Sequence, residues 1–223
     1  MKSKRSFLGA LLLLASLGAN ADVIDAYDMG WYDNSGLHVP EELNYAVGGE
    51  IPFTTATRNF FVFDLGAGVD VVSATLRVFL APSDITPFSG GYFIFNDEFE
   101  TWSLFDISVS MATLLDGSAG IGAYQDLGSG LAYGQVDVTA AMQDSYVEVA
   151  LNADAIASIN QSTGLWGVGG ALTTNVNGSA IVFAFSHLAP AAELAVVRST
   201  VPVLGTLPLL VFSLMVLGQL YKR

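Results

Sequence analysis

The chain has 223 residues, no cysteine, and 8 Lys+Arg against 21 Asp+Glu, a formal charge of -13. Its length accommodates one domain with targeting segments, and the lack of cysteine excludes disulfide frameworks, thiolate zinc sites and thiol nucleophiles together. Hydrophobic residues at 52% exclude a charge-rich disordered chain, and the acidic balance argues against a nucleic-acid partner, which demands a basic surface.

The charge is segregated. Lys2, Lys4 and Arg5 stand at one end and Lys222 and Arg223 at the other, while all 21 acids fall between Asp22 and Glu193 with only Arg58, Arg77 and Arg198 among or just beyond them. The middle therefore carries 3 − 21 = −18 and the ends +5. Residues 1–21 read as a signal peptide: a basic start, an apolar run from Phe7 to Leu17, and Ala19-Asn20-Ala21 as a small-x-small cleavage site. A signal peptidase acting there leaves Asp22 as the first mature residue. An apolar run this short falls below the roughly 20 residues that cross a bilayer core.

Residues 22–199 are expected to form one exported domain. Asp22, Asp25 and Asp28 read as a mobile acidic leader. Trp31 and Tyr32, beside Asp33-Asn34-Ser35-Gly36, are the aromatics expected to be exposed, whereas Trp102 and Trp166 sit in apolar runs and are expected in the core. Strands are expected over 59–65, rich in aromatic and β-branched residues, and over 71–80, where Val72, Ala74, Leu76, Val78 and Leu80 share one face while Ser73, Thr75 and Arg77 point the other way. Further runs at 91–95, 100–107, 131–138, 146–151, 165–171 and 180–186, parted by Gly, Pro, Asn and Asp, complete the pattern of an antiparallel β-sandwich or jelly roll. One helix is expected after the cap Asn152, stopping at Gly164, and a single helical turn over Ala140 to Gln143. Residues 200–223 form the last segment. From Val203 to Tyr221 they comprise 19 residues without a charge, enough for one transmembrane helix. Lys222-Arg223 would hold its end in the cytoplasm.

The tail, with Val201-Pro202, an apolar span containing Leu207-Pro208-Leu209-Leu210, and the terminal pair Lys222-Arg223, resembles the PEP-CTERM class of exosortase-dependent sorting signals of Gram-negative bacteria, in its VPLPA-like variant. Leu204 stands at the place of that motif's second proline and Gly205 follows it. The resemblance implies a membrane-embedded, exosortase-like enzyme that cuts near Val201-Pro202 and passes the domain to the cell surface or extracellular matrix. In the middle, GWYDNSGLHVPEELNY (30–45), RNFFVFDL (58–65), SATLRVF (73–79), DLGSG (126–130) and GGAL (169–172) resemble uncharacterised exported β-rich proteins that carry such tails. The FVFDL to SATLRVF stretch and DVTAAM resemble DNRLRE-type surface domains, which implies a jelly roll akin to carbohydrate-binding modules.

No catalytic constellation stands out. The G-x-S-x-G elbow and the P-loop are absent, and His38 and His187 read as ordinary loop or strand-end residues. Paired carboxylates would suit glycoside hydrolysis, yet no motif marks a pair among 21. Asp97, Glu98 and Glu100 fit weak Ca²⁺ ligation by hard oxygens and fit equally a solvated acidic loop. Trp31 and Tyr32 fit stacking against sugar rings. Arg58 and Arg77 are expected to pair with carboxylates across strands. The functional expectation is a non-enzymatic surface or matrix protein without a resident cofactor, the alternative being a carbohydrate-binding or adhesive module that recognises extracellular polysaccharide, with or without Ca²⁺.

Overall fold

The computed structural model describes residues 21–40, 44–50, 55–68, 70–82, 92–94, 98–174, 179–183 and 191–199. In chain order these form β1 (Ala21–Asp25), β2 (Asp28–Asp33), β3 (Val47–Glu50), β4 (Ala56–Asp64), β5 (Val71–Leu80), β6 (Tyr92–Ile94) and β7 (Glu100–Phe105). Two short helices follow, α1 (Met111–Leu115) and α2 (Gly120–Asp126), then β8 (Ala132–Val138), a 3₁₀ turn (Ala140–Met142), β9 (Ser145–Ala150), α3 (Ala153–Gln161), β10 (Leu165–Leu172), β11 (Ser179–Val182) and β12 (Ala192–Arg198). Residues 21–199 make one compact unit.

The strands build two sheets. A four-stranded sheet runs β1-β12-β5-β9, and an eight-stranded sheet runs β6-β11-β3-β4-β10-β7-β8 with β2 also paired to β4. Every pairing is antiparallel. The inner faces meet in a sandwich-like core, as alternation requires. Leu76 and Val78 from β5, Leu194 from β12 and Val149 from β9 share one buried cluster with Phe61, Trp102 and Trp166 from the larger sheet. Each such side chain contributes roughly 1.5–3 kcal/mol by leaving water. Ala155 and Ile159 of α3 join the same cluster. Asn152 starts α3 by accepting hydrogen bonds from the N–H groups of Asp154 and Ala155.

The larger sheet has a second buried face. Phe60 and Val62 of β4 and Tyr32 of β2 pack against Leu114 of α1, Ala123 of α2 and Leu127 just beyond it. Burial on both sides explains why β4 reads as an unbroken apolar run instead of alternating. The close approach of the helices depends on β10. A Cβ added at Gly169 would lie 2.8 Å from the Cα and carbonyl oxygen of Leu127, and one at Gly167 would lie 3.0 Å from Met111 Cε.

Several expectations need correction. The residues read as an acidic leader are ordered: Asp22 and Asp25 lie in β1, paired to β12, and Asp28 opens β2. Ladder bonding there compensates for poor strand propensity. Val72 is exposed and Val71 is buried in its stead, because the β5–β12 register shifts at this end, where Arg198 aligns with Val71. Asn160 reinforces the exchange by accepting from Val71 N–H (2.7 Å) and donating to its carbonyl (2.9 Å). Where one helix and a single helical turn were expected, three short α-helices form beside the 3₁₀ turn at Ala140–Met142; the two unexpected ones, α1 and α2, are stabilised by tertiary contacts. Among the described residues no helix is long and apolar enough to cross a membrane; residues 203–221 lie outside them.

Candidate functional site

Tyr32 does not form part of an exposed platform. Its outward direction on β2 carries it beneath α1, where it is fully buried and its hydroxyl donates to the carbonyls of Leu114 (2.7 Å) and Thr113 (3.2 Å). Desolvation, with the Asp116 charge nearby adding to it, pushes its hydroxyl up to about 12. Gly30 leaves room on the same face for His38, whose ring stacks on Tyr32 at 4.7 Å. His38 Nδ1 lies 2.8 Å from the Trp31 carbonyl, so that nitrogen carries the proton, because a carbonyl only accepts. Asp33 is buried as well, accepting from Ser35 N–H, Ser35 Oγ and Leu37 N–H. Trp31 is half-buried opposite Asn59 of β4. The structure thus separates the two aromatics to opposite faces of one strand.

The acidic run also divides. Asp97 lies outside the described residues, Glu98 is exposed, and Glu100 is buried at 2% exposure, accepting from Thr174 Oγ1 at 2.6 Å. Next to it, Thr101 Oγ1 donates to Asp137 at 2.7 Å. Among the described residues no group of three His, Asp or Glu side chains is placed to hold a metal ion. His187, Ala19 and the tail residues Val201, Pro202, Leu207, Pro208, Lys222 and Arg223 also lie outside the described part, whereas Ala21 is the first residue of β1.

The best-defined polar constellation occupies the outer face of the four-stranded sheet. Antiparallel register places Glu193 of β12 and Glu148 of β9 directly opposite Arg77 of β5. Arg77 Nε donates to Glu148 at 3.0 Å and Nη1 to Glu193 at 2.5 Å, with the guanidinium 4.4 Å from the Tyr146 ring centroid. Tyr146 in turn donates its hydroxyl to Glu193 at 3.2 Å and meets Phe79 edge-on at 5.6 Å. Burial and the Glu193 charge raise the Tyr146 hydroxyl above the usual range. Glu148 is 58% exposed by side chain and Glu193 only 12%, so the two ion pairs are unequal: the first faces water, the second is largely shielded. The arrangement offers a rigid guanidinium fork, two carboxylates and aromatic surface, chemistry suited to hydrogen-bonding and stacking rather than to proton transfer. The alternation of VVSATLRVFL marked Arg77 as outward, and the same period in SYVEVA would have put Tyr146 and Glu148 together; strand order alone supplied the meeting.

Arg77 thus pairs across strands as expected, but Arg58 does not. It reaches the C-terminal end of α2, donating from Nη1 to the carbonyls of Tyr124 (2.7 Å) and Gln125 (3.0 Å), and lies 4.4 Å from the Tyr124 ring centroid. A cation there gives the last-turn carbonyls a partner, that of Gln125 also accepting from Ser129 Oγ at 2.9 Å, and complements the helix dipole. The chain matches no protein-family model, and no match is found among curated proteins.

Proposed function

We propose that the chain is an exported, non-enzymatic protein of the cell surface or extracellular matrix of a Gram-negative bacterium. A signal peptidase removes residues 1–21, and the tail anchors the protein in the inner membrane until an exosortase-like enzyme sorts it. The observation that carries this reading is the coincidence of the compact unit, residues 21–199, with the stretch lying between the two terminal segments read as addresses. The antiparallel two-sheet core is consistent with a jelly roll. Intact mass and cell fractionation of the native protein test the proposal: the expected species starts at Asp22, lacks the tail and lies outside the inner membrane. A species with its full tail in the membrane fraction would show a permanent anchor instead.

One observation favours a second reading, recognition of extracellular polysaccharide. The Arg77, Tyr146, Phe79 and Glu148 side chains together present planar polar groups beside aromatic surface, which suits sugar rings. A strongly negative domain disfavours acidic polymers unless a divalent cation such as Ca²⁺ bridges them, so a neutral glycan is the expected ligand. Glycan-array binding lost in Tyr146→Ala and retained in Trp31→Ala supports this site; the reverse pattern returns the site to β2.

A further inference from the structure

We infer that the outer face of the four-stranded sheet selects two adjacent hydroxyls of a neutral sugar ring: the Arg77 guanidinium donates to the oxygen of one, and the Glu148 carboxylate accepts from the other. This selectivity rests on the sugar-binding reading of the same site and narrows it from a class of ligand to a functional group.

The ion-pair cluster leaves hydrogen-bonding groups over. A guanidinium has five N–H donors. Among the described residues Arg77 uses two of them, Nε–H on Glu148 Oε1 at 3.0 Å and one Nη1–H on Glu193 Oε2. Both oxygens of Glu193 are taken, one by Arg77 and one by the Tyr146 hydroxyl. Glu148 differs, because its Oε2 has no partner among the described residues and its side chain is exposed. Unused donors and an unused acceptor thus stand on neighbouring side chains. Glu193 holds the guanidinium over the Tyr146 ring, so the donors are oriented before a ligand arrives.

The surroundings select among the groups a glycan can offer. Strand register sets Asp25, Glu193, Arg77 and Glu148 in one row across all four strands, and the Asp25 charge reaches as far as the Tyr146 hydroxyl. Three carboxylates around one guanidinium repel carboxylated or sulfated sugars. Ring and linkage oxygens only accept, so they meet Arg77 and leave Glu148 unmatched. An acetamido group carries its donor and acceptor on opposite sides of a planar amide. Adjacent hydroxyls each donate and accept, and they stand side by side as the two side chains do. The neighbouring row, Val23, Ala195, Thr75 and Ala150, carries only short side chains. It leaves the flank of the charged row open across three strand spacings, about 14 Å.

The test uses the full-length chain in a mild detergent without a sugar headgroup. The probes are long, linear, neutral glucans, galactans and mannans, each joined either through the sixth carbon, which keeps adjacent free hydroxyls on every ring, or through the third, which keeps none on internal rings. By titration calorimetry at least one six-linked polymer should bind, and its three-linked counterpart at least ~10-fold more weakly, the effect of losing one charge-assisted hydrogen bond. Glu148→Gln keeps the shape and leaves Arg77 paired to Glu193, yet should weaken six-linked binding about 5- to 10-fold, because the acceptor loses its charge. Arg77→Lys keeps the charge but not the forked donors and should weaken it at least ~10-fold. Three-linked polymers binding as tightly as six-linked ones, or full affinity in Glu148→Gln, overturns the inference and leaves the sugar-binding reading standing. If no polymer of the panel binds, that reading falls and the inference falls with it.

Discussion

Replacing Arg77 by Met keeps most of the side-chain stem while deleting the charge that joins three strands. The loss is set chiefly by Glu193, whose side chain is 12% exposed and would keep its charge with only the Tyr146 hydroxyl as donor among these groups. Removing one partner of a fully buried pair costs about 3–5 kcal/mol, and an exposed pair contributes about 0–1 kcal/mol. Arg77 itself is 30% exposed, so Arg77→Met should fall between these limits, near ~2 kcal/mol. For a domain of this size that lowers Tm by about 4–8 °C. Glu148→Gln, acting on the side chain that is 58% exposed, should cost less than about 0.5 kcal/mol. The double variant Arg77→Met/Glu193→Gln should recover at least half of the loss, since no uncompensated charge remains. Thermal and urea unfolding of residues 22–199, followed by circular dichroism, measures all three. Arg77→Met indistinguishable from the parent, or Glu148→Gln as costly as Arg77→Met, would refute the reasoning that shielding of Glu193 gives the cluster its strength.

Gly169→Ala should destabilise by about 1–3 kcal/mol, because the new methyl meets Leu127 backbone atoms at 2.8 Å; a neutral result in the same unfolding assay would mean that α2 lifts freely from β10. High pH should unfold the domain through its buried tyrosines. Tyr32 is raised to about 12 by burial, and Tyr45, whose hydroxyl donates to the Phe79 carbonyl, is raised further for the same reason. Their neutral forms are favoured in the fold, so this stabilisation is complete below pH ~10, the unfolded value, and declines as pH rises through the folded values. The absorbance change of the buried tyrosines should therefore coincide with the loss of circular-dichroism signal above pH ~10; ionisation of Tyr32 and Tyr45 in a still-folded domain would contradict it.

The sequence was informative wherever one strand's chemistry sufficed. Residues 71–80 alternate and form β5 over that same range, and Asn152 caps α3 as its side-chain chemistry suggests. Trp102 and Trp166 lie in the core as their apolar settings imply. What stayed hidden depends on partners distant in the chain. β3, Val-Gly-Gly-Glu, has little strand propensity and exists through pairing with β4 and β11. α2 contains two glycines in seven residues, which weaken a helix by about 1 kcal/mol each. It is held at its end by Arg58 and by Asp126, which accepts from the N–H groups of Ser108 and Val109. Tyr32 looked exposed because its neighbours are turn residues, yet α1 and α2 bury it from far along the chain, its hydroxyl bond to Leu114 spanning 82 positions. The cluster at Arg77 was half visible: its outward direction was readable, its two opposite glutamates were not.

All three arginines of the middle stretch are used to join elements, and this bears on how the acidic domain responds to salt. Arg77 links β5 to β9 and β12, Arg58 ties α2 to β4, and Arg198 ties β12 to β1. None is left to offset the excess of carboxylates elsewhere, and the stretch from Asp22 to Ser199 carries −18. Repulsion among like charges spread over the surface weakens a compact state, whereas the attractive ion pairs are few and short, and one of them, Arg77–Glu193, is largely shielded. Screening therefore removes more repulsion than attraction. Tm should rise by several degrees as NaCl is raised from ~0.01 to ~0.5 M, over which the screening length contracts from tens of ångströms to a few. NaCl is the appropriate salt, because sulfate strengthens apolar burial generally and would mimic the effect. Arg77→Met should show the same upward slope, its shielded pair being the contact that salt affects least. A Tm that falls with NaCl would mean that the exposed pairs Arg198–Asp22 and Arg77–Glu148 outweigh the dispersed repulsion, and that the three arginines contribute more to the fold than their geometry implies.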